Sequence, residues 1–119
     1  MNPRIAVVDD DASVRKALKR LLETSSYEVQ IFDTACEFVA TLPHCIPECM
    51  IIDLQMPNMT GLELLYRLAR SGIKIPTIVI TAFDEPGVGE RCIAAGAVAY
   101  LLKPLRKAVL IDAITNAIE

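Results

Sequence analysis

The chain contains no tryptophan, and aromatic residues make up only 5% of its 119 residues. It also lacks any block of lysine or arginine, and its acidic residues outnumber its basic ones by 15 to 12. Electrostatic capture of nucleic acid or of an anionic membrane surface is therefore disfavoured. The longest apolar run, residues 97–102, is far below the roughly 20 residues that span a bilayer. We expect no membrane segment and no direct binding of nucleic acid.

Targeting and cross-linking signals are missing as well. Residues 1–4 lead directly into a short apolar run and then into acids, which is not the pattern of a signal peptide. The four cysteines form no C-x-x-C pair, and with His44 their spacing matches no common zinc site. The sequence predicts a cytoplasmic protein, and its length suits a single domain over residues 1–119.

Short β-branched apolar runs alternate with helical patterns five times along the chain. Continuous apolar runs are typical of buried parallel strands, and apolar residues at helical spacing indicate the helices between them. This alternation predicts an α/β fold, a doubly wound five-stranded parallel sheet with helices on both faces. The predicted strands cover residues 5–8, 27–31, 49–53, 75–80 and 98–102, and the last helix covers residues 105–118.

Local capping signals predict where the helices begin and end. Asp11 is the expected N-cap of the first helix. Thr-x-x-Glu patterns, which are typical of a capping box, begin at Thr34 and Thr60. Pro43 and Gly72 are expected to end the second and third helices.

The fourth helix is expected within residues 84–95, where its sequence opposes it. Pro86, Gly87 and Gly89 all lie in this segment. Each glycine inside a helix costs roughly 1 kcal/mol relative to alanine. We therefore predict a fourth helix that is short, late-starting or mobile.

Polar residues interrupt the apolar runs where the predicted strands end. Asp9 and Asp10 follow the first strand, and Asp53 closes the third. Thr81 and Lys103 follow the fourth and fifth strands. Ligands of open parallel sheets bind outside the carboxyl ends of the strands, so we expect these side chains to share one crevice. Crowded carboxylates raise their pKa values or bind a cation, and hard oxygen ligands suit Mg²⁺. A carboxylate nucleophile beside a metal and a cation is the arrangement that phosphoryl transfer requires.

Four motifs follow one another at the ends of the predicted strands: Val7-Val8-Asp9-Asp10-Asp11, Asp53-Leu-Gln-Met-Pro57-Asn-Met-Thr-Gly61, Thr81-Ala82 and Tyr100-Leu-Leu-Lys103-Pro104. Each motif alone is a weak signal, but the full set in this order and spacing is highly specific. By these motifs the chain resembles, over its whole length, the response-regulator receiver domain of two-component signalling. The resemblance implies a flavodoxin-like strand order 2-1-3-4-5 and a phosphoacceptor switch that catalyses only its own phosphorylation and dephosphorylation.

The resemblance also implies roles for the carboxylates. Asp53 is expected to accept a phosphoryl group from the phosphohistidine of a sensor histidine kinase. Asp10, Asp53 and the backbone carbonyl of Gln55 are expected to bind Mg²⁺ directly, and Asp9 is expected to act mainly through a metal-bound water. The implied cofactor is therefore Mg²⁺.

By the same resemblance, phosphorylation acts as a two-state switch. Lys103 is expected to pair with the phosphoryl oxygens, and Thr81 is expected to swing toward them. Tyr100 matches an aromatic that turns inward in this family, although ordinary packing on an edge strand explains it equally well. The responding face would comprise the fourth helix, the fifth strand and the last helix, through which such domains often form homodimers. A cis bond between Lys103 and Pro104 is also frequent in the family.

Two features depart from the commonest pattern of the family. Leu105 stands where an aromatic residue is frequent, and glycine and proline weaken the fourth helix. Neither removes a chemical group, so both bear on output geometry and not on phosphorylation. Gln55 and Phe83 flank the expected approach of water, and we hypothesise that the bulky Phe83 slows hydrolysis.

Two other functions stay open at this point. The segment Asp9-Asp10-Asp11-Ala12-Ser13 also fits the D-x-D-x-S/T pattern of haloacid-dehalogenase phosphatases, with Asp9 as nucleophile and Asp11 as general acid. Those enzymes usually need a longer chain with a cap and a later acidic pair. The other alternative is an unphosphorylated interaction module that retains only the fold.

Overall fold

The computed structural model describes residues 2–42 and 44–119, so the helix end predicted at Pro43 lies outside the described residues. Strands and helices alternate along this part of the chain, as the apolar pattern predicts. In chain order they are β1 (Arg4–Val8), α1 (Ala12–Glu23), β2 (Glu28–Phe32), α2 (Ala35–Ala40), β3 (Cys49–Asp53), α3 (Gly61–Arg70), β4 (Thr77–Thr81), α4 (Val88–Ala94), β5 (Ala99–Leu102) and α5 (Lys107–Ile118).

The strands form one parallel sheet in the order β2-β1-β3-β4-β5, which confirms the predicted topology. β1, β3 and β4 lie in the centre and are buried on both faces, which is why their sequences are continuously apolar. β2 lies at one edge, and its polar Glu28 and Gln30 are exposed. The sheet order therefore brings the ends of β1, β3, β4 and β5 to the same side.

Helices cover both faces of the sheet, and alternate strand residues contribute to two separate cores. Phe38, Leu64 and Leu68 pack against the face covered by α2, α3 and α4. Leu22 and Leu110 pack against the other face, covered by α1 and α5. No helix of the described residues is long and apolar enough to cross a membrane.

Most of the local helix signals act as predicted. Asp11 caps α1 by accepting hydrogen bonds from the backbone N–H groups of Ser13 and Val14. At α3 both bonds of the capping box between Thr60 and Glu63 are present.

At α2 the predicted capping box is only half formed, because among the described contacts the Thr34 hydroxyl accepts from the Glu37 N–H without the reciprocal bond. Gly72, just after α3, has a φ of 72° and ends that helix as expected.

Several element boundaries differ from the sequence prediction. β4 begins at Thr77, two residues late, because Pro76 has no N–H to give to the sheet. α5 begins at Lys107, because the backbone of Arg106 is still extended. α4 covers only Val88–Ala94, which confirms the prediction of a short helix with a late start. The Lys103–Pro104 peptide bond is cis.

Gly61 allows the start of α3 to pack directly on the end of β3. A Cβ atom at this position would lie 2.6 Å from the carbonyl oxygen of Asp53. The Gly61 N–H also donates to the Leu54 carbonyl at 3.0 Å. The absence of a side chain at Gly61 therefore helps to place Asp53, the last residue of β3.

We predict that Gly61→Ala lowers the free energy of unfolding by about 2–3 kcal/mol, because the new methyl group overlaps fixed backbone atoms. Gly72→Ala provides the control, since its Cβ meets nothing within 4 Å. Its positive φ alone should cost about 1 kcal/mol. Urea denaturation followed by circular dichroism measures both, and a loss at Gly61 no larger than that at Gly72 contradicts the prediction.

Candidate functional site

Three carboxylates meet at the carboxyl ends of β1 and β3, as the sequence predicts. Oxygen atoms of Asp9, Asp10 and Asp53 all lie within 4.8 Å of one another. Asp9 is fully buried, Asp53 is 5% exposed, and Asp10 is exposed to solvent. The pairing of β1 with β3 brings these residues together, because Val8 lies opposite Ile52 in the register.

Lys103 is the positive charge within this cluster. Its Nζ lies 3.0 Å from Oδ2 of Asp9 and 3.5 Å from Oδ1 of Asp53. Its backbone N–H donates to the carbonyl of Thr81 at 2.8 Å, and this bond fixes the backbone of Lys103 beside the end of β4. Burial by itself would lower the pKa of Lys103, but the hydrogen bond to Asp9 and the charges of Asp53 and Asp9 raise it overall. Lys103 therefore stays protonated.

The environment of Asp53 favours its neutral form. Burial, and after it the neighbouring charge of Asp9, raise the pKa of Asp53 to about 6. Lys103 and a hydrogen bond from the Gln55 N–H oppose this effect, the latter over 3.5 Å to Oδ1. A shift in this direction indicates a surplus of negative charge, which a divalent cation can relieve.

The residues of the cluster fit Mg²⁺. All the candidate ligands are hard carboxylate oxygens, and one of the three carboxylates is open to solvent, so that waters can complete a shell. One lysine leaves two of the three negative charges uncompensated. Gln55, the other expected ligand through its carbonyl, lies two residues after Asp53 with an exposed side chain.

Thr81 lies at the same edge of the sheet as the three carboxylates, but its hydroxyl hydrogen bonds to the main chain of Phe83. Thr81 ends β4, beside β3, and is fully buried. Its Oγ1 donates to the carbonyl of Phe83 at 3.1 Å and accepts from the Phe83 N–H at 3.2 Å. In this structure the hydroxyl is therefore held by the main chain after β4.

A family model for the response regulator receiver domain matches residues 5–115 of this chain. The protein belongs to this family.

Characterised relatives agree with this assignment. Over 96% of this chain, it is 36% identical to the transcriptional regulatory protein TdiR of Thauera aromatica, covering 50% of that protein. Over 97% of the chain, it is 36% identical to the transcriptional regulatory protein FixJ of Rhizobium meliloti, covering 56% of that protein. The chain thus spans about half the length of the curated relatives it matches.

Solved structures show the same fold. The crystal structure of FixJ-N matches with a TM-score of 0.90 and 35% identity, covering 98% of this chain and 94% of that one. A response regulator receiver protein from Burkholderia phymatum matches with a TM-score of 0.87 and 41% identity, covering 98% of this chain and 95% of that one. The chain is a receiver domain of a response regulator in two-component signalling.

Tyr100 of the receiver domain lies on β5, away from the carboxylates. Its hydroxyl donates to Oδ1 of Asp84 at 3.3 Å, and its side chain is half-buried. A Cβ added to Gly89 would lie 3.2 Å from the ring, so glycine in α4 gives the ring room. From the sequence, Gly89 is predicted only to disfavour the fourth helix, and its packing against the Tyr100 ring is not predicted.

Arg15 is a further residue that the sequence reasoning missed. Its Nη1 donates to the backbone carbonyl of Asp9 at 2.8 Å. Arg15 lies six positions after Asp9, a spacing that no motif in the sequence marks. The remaining signal is its charge, because a cation in the first turns of a helix opposes the helix dipole.

We predict that Asp53→Asn stabilises the receiver domain in metal-free buffer at neutral pH. The pKa of about 6 in the folded state exceeds the ordinary value of 3.8, so the carboxyl stabilises the fold fully only when protonated. This contribution is lost as the pH rises from 3.8 through about 6. Across that range the variant should gain about 3 kcal/mol over the wild type.

The measurement is urea denaturation in EDTA at several pH values. Asp112→Asn, the same change at an exposed position on α5, is the matched control. An equal pH dependence in the two variants would show that the environment of Asp53 is not the cause.

Proposed function

We propose that the carboxylate of Asp53 accepts a phosphoryl group from the phosphohistidine of a sensor histidine kinase, with Mg²⁺ as cofactor. The observation that carries this proposal is the set of charges around Asp53. Asp9 and Asp10 lie within 4.8 Å of it, and the ammonium of Lys103 lies 3.5 Å away. One carboxylate among two others and one cation is a site for a metal ion and an incoming phosphoryl group.

In the proposed reaction an Oδ atom of Asp53 attacks phosphorus while the phosphorus–nitrogen bond to the histidine breaks. Asp53 must be ionised to attack, and Lys103 supports the ionised form. Asp10, Asp53 and the Gln55 carbonyl would hold Mg²⁺ directly, with Asp9 acting through a water. When bound, the ion offsets the negative charge that gathers between the carboxylates and the phosphoryl oxygens.

The receiver domain then acts as a switch and not as an enzyme that turns over a separate substrate. The phosphoryl group adds roughly −1.5 to −2 charges and three acceptor oxygens beside Lys103. For Thr81 to bond to those oxygens, its hydroxyl must exchange its present bonds with Phe83. Such an exchange couples phosphorylation to the chain after β4, and thus to α4.

We propose that α4, β5 and α5 carry the output, including phosphorylation-dependent homodimerisation. Tyr100 links the two parts of this face, since its hydroxyl bonds to Asp84 before α4 and its ring packs on Gly89. Large apolar side chains are exposed along the face or beside it: Ile93, Val98, Leu102 and Val109. The predicted cytoplasmic location and the predicted lack of direct nucleic-acid binding by this domain stay predictions.

The structure gives no support to the phosphatase alternative. Asp9 is fully buried, and its carboxylate already accepts hydrogen bonds from Lys103 and from the Asp11 N–H. The carboxylate of Asp11 caps α1 and is therefore poorly placed to act as a general acid. An interaction module that retains only the fold would not explain why three carboxylates lie within 4.8 Å of one another.

We predict that acetyl phosphate with Mg²⁺ transfers one phosphoryl group to the protein, measured by intact-protein mass spectrometry. Asp53→Asn should abolish the transfer because it removes the nucleophile, and EDTA should suppress it in the wild type. Asp112→Asn, which changes an exposed carboxylate, should be phosphorylated normally. No modification, or modification of Asp9 with turnover of small phosphoesters, would contradict the proposal.

We also predict that Phe83→Ala shortens the lifetime of the phosphorylated protein several-fold. Phe83 is 65% exposed, and its backbone N–H is bonded to the hydroxyl of Thr81. Its ring is therefore attached next to Thr81, where it can screen the phosphoryl group from water. Tyr66→Ala removes another exposed aromatic ring, on α3, and serves as the control. The rate of phosphoryl loss after removal of the donor is the measurement, and an unchanged rate in Phe83→Ala refutes the hypothesis.

A further inference from the structure

Every polar group of Asp9 is engaged, and Arg15 supplies one of its four partners. The Asp9 N–H donates to the Phe32 carbonyl at 3.1 Å, and Oδ1 and Oδ2 accept from the Asp11 N–H and Lys103 at 2.9 and 3.0 Å. The Asp9 carbonyl accepts from the guanidinium of Arg15 at 2.8 Å. This carbonyl belongs to the peptide plane that joins Asp9 to Asp10.

Asp10 has no comparable support of its own. Among residues 2–42 and 44–119, no hydrogen bond or ion pair to the carboxylate of Asp10 is formed, and the residue is exposed. The direction of its side chain therefore depends on the backbone on either side. Asp11 is fixed as the N-cap of α1, and the Asp9–Asp10 peptide plane is fixed by Arg15.

Arg15 is an unusual residue for its position. A cation near the amino end of a helix is disfavoured by the helix dipole, and Arg15 lies in the fourth position of α1. The guanidinium forms no ion pair with any carboxylate of the described residues, although its charge acts on Glu37. It binds a backbone carbonyl of the site and leaves the carboxylates there free to bind a metal.

We infer that Arg15 is a positioning residue, which orients the Asp9–Asp10 peptide so that Asp10 faces a divalent cation held with Asp53. The inference rests on the proposed function, since that function assigns the metal site. It concerns the binding step and predicts no direct contact between Arg15 and the phosphoryl group.

Electrostatics alone predicts the opposite effect for the loss of Arg15. Removing a positive charge that contacts the backbone of the site should tighten the binding of a divalent cation. Loss of positioning should weaken it, and loss of a partner that orients a metal ligand typically costs 10–100-fold in affinity. The sign of the change therefore separates the two effects.

The test compares Arg15→Met with Lys16→Met in the unphosphorylated protein. Lys16 is the next residue of α1, is exposed, and has no side-chain hydrogen bond among the described residues. Lys16→Met therefore removes the same charge but leaves the bond between Arg15 and the Asp9 carbonyl intact. Isothermal titration with Mg²⁺, and Mn²⁺ titration followed by electron paramagnetic resonance, give the dissociation constants. We expect binding about tenfold weaker in Arg15→Met and unchanged or tighter in Lys16→Met.

Unfolding in EDTA checks that each variant is folded, and Arg15→Gln replaces Arg15→Met if the latter is not. At saturating Mg²⁺ the rate of phosphorylation by acetyl phosphate should return to near the wild-type value, because only the binding step is impaired. Affinity in Arg15→Met equal to or tighter than that in Lys16→Met overturns the inference while wild-type phosphorylation on Asp53 stands. If the wild type neither binds Mg²⁺ nor accepts a phosphoryl group, the proposed function fails instead.

Discussion

Lys103 connects the carboxyl ends of four strands. The residue follows β5, and its ammonium contacts Asp9 after β1 and Asp53 on β3. Its backbone N–H donates to the carbonyl of Thr81, the last residue of β4. Two carboxylates about 5 Å apart at an effective dielectric constant of 20 repel each other by roughly 3 kcal/mol. Lys103 contacts both Asp9 and Asp53 and offsets this repulsion where the strand ends bring the two carboxylates together. The geometry of the site therefore depends on this pair of contacts.

One lysine does not balance three carboxylates, and the imbalance has a structural consequence. The raised pKa of Asp53 shows that the fold retains an ionisable group in an unfavourable place. Residues that oppose stability in this way are commonly retained at functional sites. Here the surplus negative charge suits a divalent cation. In the proposed function this surplus of charge would favour the binding of Mg²⁺, and Lys103 would already lie beside Asp53 to meet the added phosphoryl oxygens.

The sequence predicts the centre of the fold better than its edges. β1, β3 and β4 are buried on both faces, so their apolar runs are continuous and easily recognised. The capping box of Thr60 and Glu63 forms in full. At Thr34 only one of the two bonds is present, and Asp33 beside Glu37 raises the pKa of that carboxyl. A motif does not include the charges of the residues that flank it.

The amino-acid sequence by itself determined which chemical groups stand at the carboxyl ends of the strands. A buried apolar run must end where polar residues begin, and parallel strands must end at the same edge. Only the tertiary structure decided the partner of each polar atom: the Thr81 hydroxyl binds Phe83, Tyr100 binds Asp84, and Arg15 binds the Asp9 carbonyl. Each of these groups has several candidate partners within reach. The choice depends on distances of a few tenths of an ångström, which are set when distant segments pack together.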